Sequence, residues 1–224
     1  TFAALDDVSM KVAAGSFHAL LGENGAGKST LVKCLVGFYQ PDDGQIQIDG
    51  REHAIRSPQD SHALGIGMVY QHFTLVPSMT VAENLVMSRG DIPAVVRWRA
   101  ERERLAAFME GVPFKVPLDT PVAQLAAGEK QKVEILKQLY LERRFMILDE
   151  PTSVLTPSEA DEALGMLKDL TRQGKVTVLM ITHKFREVMA FADAVSVLRR
   201  GRHAGEGLVR DLDVARMAEM MVGE

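Results

Sequence analysis

The chain has 224 residues, of which 46% are hydrophobic and 25% charged, enough for one large domain or two intimately packed ones around an ample core. Its net charge of −4 provides no global basic field, so no nucleic-acid partner is expected. Its longest unbroken apolar runs, such as "VLMI" at 178–181, fall far short of a bilayer span, and its one cysteine excludes an internal disulfide and fits a reducing compartment.

The opening "TFAALDDVSM" has neither a basic stretch nor an apolar run, so no signal peptide is expected there. "SMKVAAG", "SFHALLG" and "GQIQIDG" read as short strands between turns. In the last of these Ile46 and Ile48 alternate with polar residues, as in a half-exposed antiparallel strand. Cys34 reads as a small apolar residue on a buried helix face. From about 80 to 143 the spacing turns helical in "TVAENLVM", "WRAERERLAAFMEG" and "EKQKVEILKQLYLE", the last aligning Val133, Leu136 and Tyr140. Within that span "RWRAERER" reads as a solvated helix face.

Next come "RFMILDE", "KVTVLMITH" and "DAVSVLRRG", nearly continuous apolar runs of the kind buried on both faces of a sheet. Helical segments separate them, one opening on Thr156-Pro157-Ser158-Glu159, a capping box with Pro at the first helical position. The tail "ARMAEMM" reads as a helix packed on the core. Strand, helix and strand in this rhythm imply right-handed crossovers and a parallel sheet. The predicted fold is therefore α/β, a single domain over 1–224. It has a parallel sheet core, an antiparallel β layer at the N-terminus and a helical subdomain inserted at about 80–143.

"GENGAGKST" at 22–30 fits the pattern G-x-x-x-x-G-K-[ST] between the strand "FHALL" and a helix. Glycines there let the backbone curl until several N–H groups face a phosphate chain, and the helix start adds its partial positive charge. The candidate segment is Gly22, Glu23, Asn24, Gly25, Ala26 and Gly27, followed by Lys28, Ser29 and Thr30. Lys28 suits the β- and γ-phosphates, and Ser29 suits Mg²⁺. "RFMILDE" sets Asp149 and Glu150 at the end of a buried strand, where Asp149 suits the same Mg²⁺ and Glu150 suits activation of a water. His183 ends the next strand, on the crest where open α/β sheets bind ligands. "LAAGEKQKV" at 125–133 opens a helix with no Ser, Thr, Asp or Asn to cap it, which is locally weak.

The phosphate loop, Gln71 closing "GMVYQ", the "LAAGEKQ" turn, "MILDE" and "MITH" follow in an order that resembles the ATP-binding cassette ATPase family over essentially the whole chain. The resemblance implies a P-loop NTPase with ATP and Mg²⁺ as cofactors. It also implies a head-to-tail pairing with a second cassette, in the same polypeptide or a homodimer, that sandwiches two nucleotides. In such a pair Leu125, Ala126, Ala127, Gly128 and Glu129 form the signature turn and bind the γ-phosphate of ATP held by the facing domain. A phosphate arriving from the partner would then do the work of the missing cap. Gln71 senses Mg²⁺ and water, Glu150 is the general base, and His183 contacts the γ-phosphate. Phe2 is the only aromatic candidate for stacking on adenine.

"ALGIGMVYQHFTLVPSMTVAENLVM", "VEILKQLY" and "DEPTSVLTPSEADEAL" look like the ATPase subunits of bacterial sugar and nucleoside importers, and "QHFTLVP" leans toward the nucleoside branch. That likeness implies the first cassette of a tandem subunit, peripheral on the cytoplasmic face of the plasma membrane. Its partners would be transmembrane permease subunits and, indirectly, an extracytoplasmic solute-binding protein. Phe73, Leu75 and Val76 could line the groove for a permease helix, with partial burial as loop filler the alternative. Ala126 stands where the family usually has Ser, which removes one hydroxyl contact to the partner's ATP. A cassette ATPase not coupled to transport and a regulatory nucleotide-binding half are the rival readings.

Overall fold

The structure, a computed structural model, describes residues 3–112 and 115–223, so Phe2 lies outside the described residues. Its strands are β1 (Phe17–Leu21), β2 (Ile46–Ile48), β3 (Arg51–His53), β4 (Ile66–Val69), β5 (Phe145–Asp149), β6 (Thr177–Ile181), β7 (Ala194–Arg199) and β8 (Arg202–Leu208). Its helices are α1 (Lys28–Leu35), α2 (Pro58–Ala63), α3 (Val81–Met87), α4 (Trp98–Glu110), α5 (Ala127–Tyr140), α6 (Pro157–Arg172), α7 (Phe185–Phe191) and α8 (Val214–Val222). Six strands form one sheet in the order β4-β5-β6-β1-β7-β8, parallel except for β8, which closes the edge antiparallel to β7.

The apolar runs become central strands because side chains one residue apart face opposite layers, and both layers are covered. Met146 and Leu148 of β5, with Val178 and Met180 of β6, join the core that holds Leu136 of α5 and Leu164 of α6. Ile147, Leu179 and Ile181 point the other way, against Val32 of α1. A third cluster packs Met217 and Met221 of α8 on Leu21, Val195 and Val197, so the methionine-rich tail is a core helix as read. Cys34 is a buried free thiol on α1, also as read. Burying each such aliphatic side chain stabilises the fold by about 1.5–3 kcal/mol before entropy is counted.

The antiparallel element of the N-terminal half is the β2–β3 hairpin, with Ile46 opposite His53 and Ile48 opposite Arg51. "SMKVAAG" forms no strand. Val8, Met10 and Val12 do turn inward on the Leu20 cluster, so the alternation is real, but the described residues give that stretch no ladder. The solvated face at 97–104 also needs one correction. Glu101 of α4 is buried because Arg89 reaches it at 2.7 Å and Arg104 at 3.3 Å. The Thr156 capping box forms at α6, Thr156 N–H donating to Glu159 Oε2 at 2.9 Å and Glu159 N–H to Thr156 Oγ1 at 3.3 Å. The structure therefore matches the expected parallel α/β core, with an antiparallel sheet and flanking helices.

Candidate functional site

Register brings the candidate residues to one edge. Asp149 pairs with Ile181, and Ile181 pairs with Leu20, so β5, β6 and β1 end level. Glu150, His183 and the loop Gly22–Gly27 all leave the sheet at that level, and Gln71 leaves β4 beside β5. This is the carboxyl crest where parallel sheets place ligands.

The loop after β1 is held too closely for side chains at two points. A Cβ on Gly22 would sit 2.5 Å from the Leu198 carbonyl oxygen. Gly27 has φ 101°, and a Cβ there would meet Leu5 Cδ2 at 2.9 Å and Ala4 O at 3.0 Å. Gly27 starts α1 without any side-chain cap. Lys28 is buried and folds back over the loop, donating from Nζ to Gly22 O at 2.6 Å and to Glu23 O at 2.9 Å. Burial pulls its pKa below the usual lysine value, while Glu150 and Asp149 act in the opposite sense. Ser29 is exposed at the helix start and Thr30 half-buried.

Asp149 is partly buried, and its carboxyl is pushed up first by that burial and then by the neighbouring Glu150, with Lys28 countering. Glu150 adopts φ 47°, in the left-handed region that a residue with a Cβ avoids. Its N–H donates to Ile181 O at 2.9 Å, and its Oε1 lies 3.2 Å from His183 Nδ1. Gln71 and His183 are exposed on the crest.

The turn at 125–129 lies apart from this cluster, at the start of α5. Ala126 and Ala127 are exposed, Leu125 and Gly128 buried. Ala126 has N-cap dihedrals and no oxygen to offer, yet the end is not bare, since Glu129 Oε2 accepts from Ala126 N–H at 2.9 Å. A Cβ on Gly128 would fall 2.7 Å from Glu159 Oε1, so the acid that caps α6 also presses on α5. Neither carboxylate contact was part of the sequence reading. Glu129 at the third helical position is the signal that could have found the first. Also unforeseen is a knot behind the crest in which buried Thr152, Thr182 and Glu187 are joined by the partly exposed Lys184.

The ABC transporter family profile matches residues 5–153, which include the phosphate loop, the 125–129 turn and the Asp149–Glu150 pair. This chain belongs to the ABC transporter family. It is 43% identical to the glucose import ATP-binding protein TsgD13 of Haloferax volcanii, over 97% of this chain and 45% of that protein. It is 39% identical to the nucleoside import ATP-binding protein NupA of Lactococcus lactis subsp. cremoris, over 99% of this chain and 44% of that protein. The chain thus spans under half the length of these curated relatives. Among solved structures it resembles cbiO1 from Clostridium perfringens, part of the ABC transporter complex cbiONQ, with TM-score 0.81 and 28% identity over 96% of this chain and 86% of that one. The two sequence relatives are named for glucose import and nucleoside import. No helix among the described residues is long and apolar enough to cross a membrane.

Proposed function

We propose that the chain is the ATP-binding and ATP-hydrolysing cassette of an importer for simple sugars or nucleosides. The observation that carries this reading is the meeting of Lys28, Asp149, Glu150 and His183 on one sheet edge beside a glycine loop. The loop N–H groups and the start of α1 hold the phosphates. Lys28, poorly solvated and satisfied by two of its own loop carbonyls, exchanges them for phosphate oxygens, which better compensate a buried cation. Glu150 takes the proton of the attacking water, and His183 orients on the γ-phosphate while bonded to Glu150.

The Ser29 hydroxyl, the Asp149 carboxylate and the Gln71 amide form the hard oxygen set that Mg²⁺ prefers. Asp149 and Glu150 raise the need for a cation by repelling one another. When bound, Mg²⁺ supplies charge neutralisation to the phosphates. Among the described residues no group of three or more His, Cys, Asp or Glu could hold a metal ion, so the remaining ligands would be phosphate and water oxygens.

In this reading Leu125–Glu129 faces the ATP of a second cassette, carried in the same polypeptide or supplied by a second copy. The segment at about 80–143 moves as a unit with Gln71, and permease subunits at the cytoplasmic face of the membrane receive that motion. Phe2 remains the proposed adenine contact. Purification of the full-length protein tests the proposal. It should carry a multi-helix membrane protein with it and drive ATP-dependent uptake of a sugar or nucleoside into vesicles, and an ATPase that neither binds nor drives such a partner would refute transport.

A further inference from the structure

We infer that Glu187 is a positioning residue for hydrolysis, a buried carboxylate that fixes the Glu150 loop and the His183 loop to one another. The inference rests on the roles proposed above for Glu150 and His183. Glu187 lies in the first turn of α7 and is 3% exposed, and Thr152 and Thr182 are 2% exposed. Thr152 stands two residues beyond Glu150, and Thr182 one before His183. Thr152 Oγ1 donates to Glu187 Oε1 at 2.5 Å, and Thr182 Oγ1 donates to Glu187 Oε2 at 3.2 Å. Lys184 completes the knot. Its Nζ donates to Thr152 Oγ1 at 2.8 Å and Thr152 O at 3.1 Å, and lies 3.3 Å from Glu187 Oε1. Its backbone N–H donates to Thr182 Oγ1 at 3.1 Å.

Each hydroxyl therefore receives a hydrogen bond from Lys184 and turns its own proton to a different oxygen of Glu187. Only a carboxylate presents two acceptors in that fork, whereas an amide presents one. A carboxylate this buried is unfavourable unless every lone pair is used, and the donors that use these come from the two loops carrying the proposed base and histidine. Glu150 meanwhile sits in left-handed backbone with its N–H on Ile181 O, a conformation that holds only when its surroundings determine it. The Glu150–His183 contact of 3.2 Å is thus set from behind by Glu187.

Glu187→Gln and Thr152→Val, made in the full-length protein beside Glu150→Gln, test this through kcat, KM, ATP affinity by calorimetry and melting temperature. Glu187→Gln should lower kcat roughly 10- to 100-fold while KM and ATP affinity stay within about twofold, the pattern of a misplaced reacting group rather than lost binding. Thr152→Val should lower kcat in the same way. The double variant should be no slower than Glu187→Gln alone, because both cut one link. Wild-type kcat in either variant, additive losses, or KM rising as kcat falls would overturn the inference. If Glu187→Gln does not fold, Thr152→Val decides alone, since it keeps the buried volume. Normal turnover in Glu150→Gln would overturn the site reading and this inference together, whereas a dead Glu150→Gln beside normal Glu187 and Thr152 variants would overturn this inference only.

Discussion

Among the helices that start without a side-chain cap, α1 behind Gly27 and α5 behind Ala126 have surroundings that differ in kind. The start of α1 is enclosed: Gly22 lies against Leu198, Gly27 lies against Ala4 and Leu5, and the Lys28 ammonium rests on the loop carbonyls. The start of α5 is open at Ala126 and Ala127 and already carries two carboxylates, Glu129 on the Ala126 N–H and Glu159 beside Gly128. A helix N-terminus draws anions with only a fraction of a unit charge, so neighbouring side chains decide how well it does so. The first start is preorganised for a polyphosphate. The second lacks a hydroxyl and holds internal anions where the partner's phosphate is proposed to approach. Where the second cassette differs in sequence from this one, we therefore expect a functional asymmetry, with hydrolysis mainly at the site containing Lys28 and Glu150 and nucleotide mostly retained at the partner's.

The largest effect should come from Glu150→Gln, which should preserve ATP binding and lower turnover of the full-length protein by roughly 10²–10⁴-fold, because the water loses its base. Unaltered turnover would remove the reason for separating the two regions. Lys28→Ala should weaken ATP binding by on the order of 10²-fold or more in calorimetry, since two charge-assisted hydrogen bonds are worth about 1.5–3 kcal/mol each. The same measurement on a variant of the α5 start should show little change at this chain's own site.

The sheet that carries the first region also has a predicted pH limit. His18 lies in β1 beneath the loop, buried, with Nε2 2.9 Å from Ser196 Oγ, and burial lowers its pKa from 6.5 to about 4. The unfolded chain therefore binds more protons than the folded one between these values. Stability should be at its full value above pH 6.5 and decline as pH falls toward 4. The shift corresponds to a loss on the order of 3 kcal/mol, and His18→Asn should flatten that slope in thermal melts.

The smallest effects belong to α5. Ala126→Ser should tighten ATP-driven closure with the partner cassette by at most about 1.5–3 kcal/mol, the value of one hydrogen bond to a charged acceptor. Glu129→Gln should tighten it severalfold by removing a negative charge while keeping an acceptor for the Ala126 N–H. Closure insensitive to both would mean that this turn does not meet the partner's phosphates.

Features written in consecutive residues were legible before the structure. The glycine loop, the apolar strand ending in Asp149, the apolar strand that stops at Ile181, two residues short of the expected His183, and the Thr156 cap are local patterns with local physics. What escaped is long-range. β8 reads RHAGEGL, with two glycines and no β-branched residue, and it is a strand because β7 offers it a ladder. Glu134 reads as one charged position among many on α5, yet it is wholly buried because it accepts the Thr74 N–H and hydroxyl and pairs with Lys137. Glu187 reads as a solvated helix residue until Thr152, 35 positions away, is brought beside it. "SMKVAAG" erred the other way, because alternation alone supplies no neighbouring strand.

The asymmetry between the two helix starts is tested most directly by rapid-quench analysis of nucleotide trapped in the closed full-length protein during its first turnover. The account predicts a burst in which only about half of the bound ATP becomes ADP, and no burst in Glu150→Gln. A burst that consumes all the bound ATP, or one that survives Glu150→Gln, would contradict it.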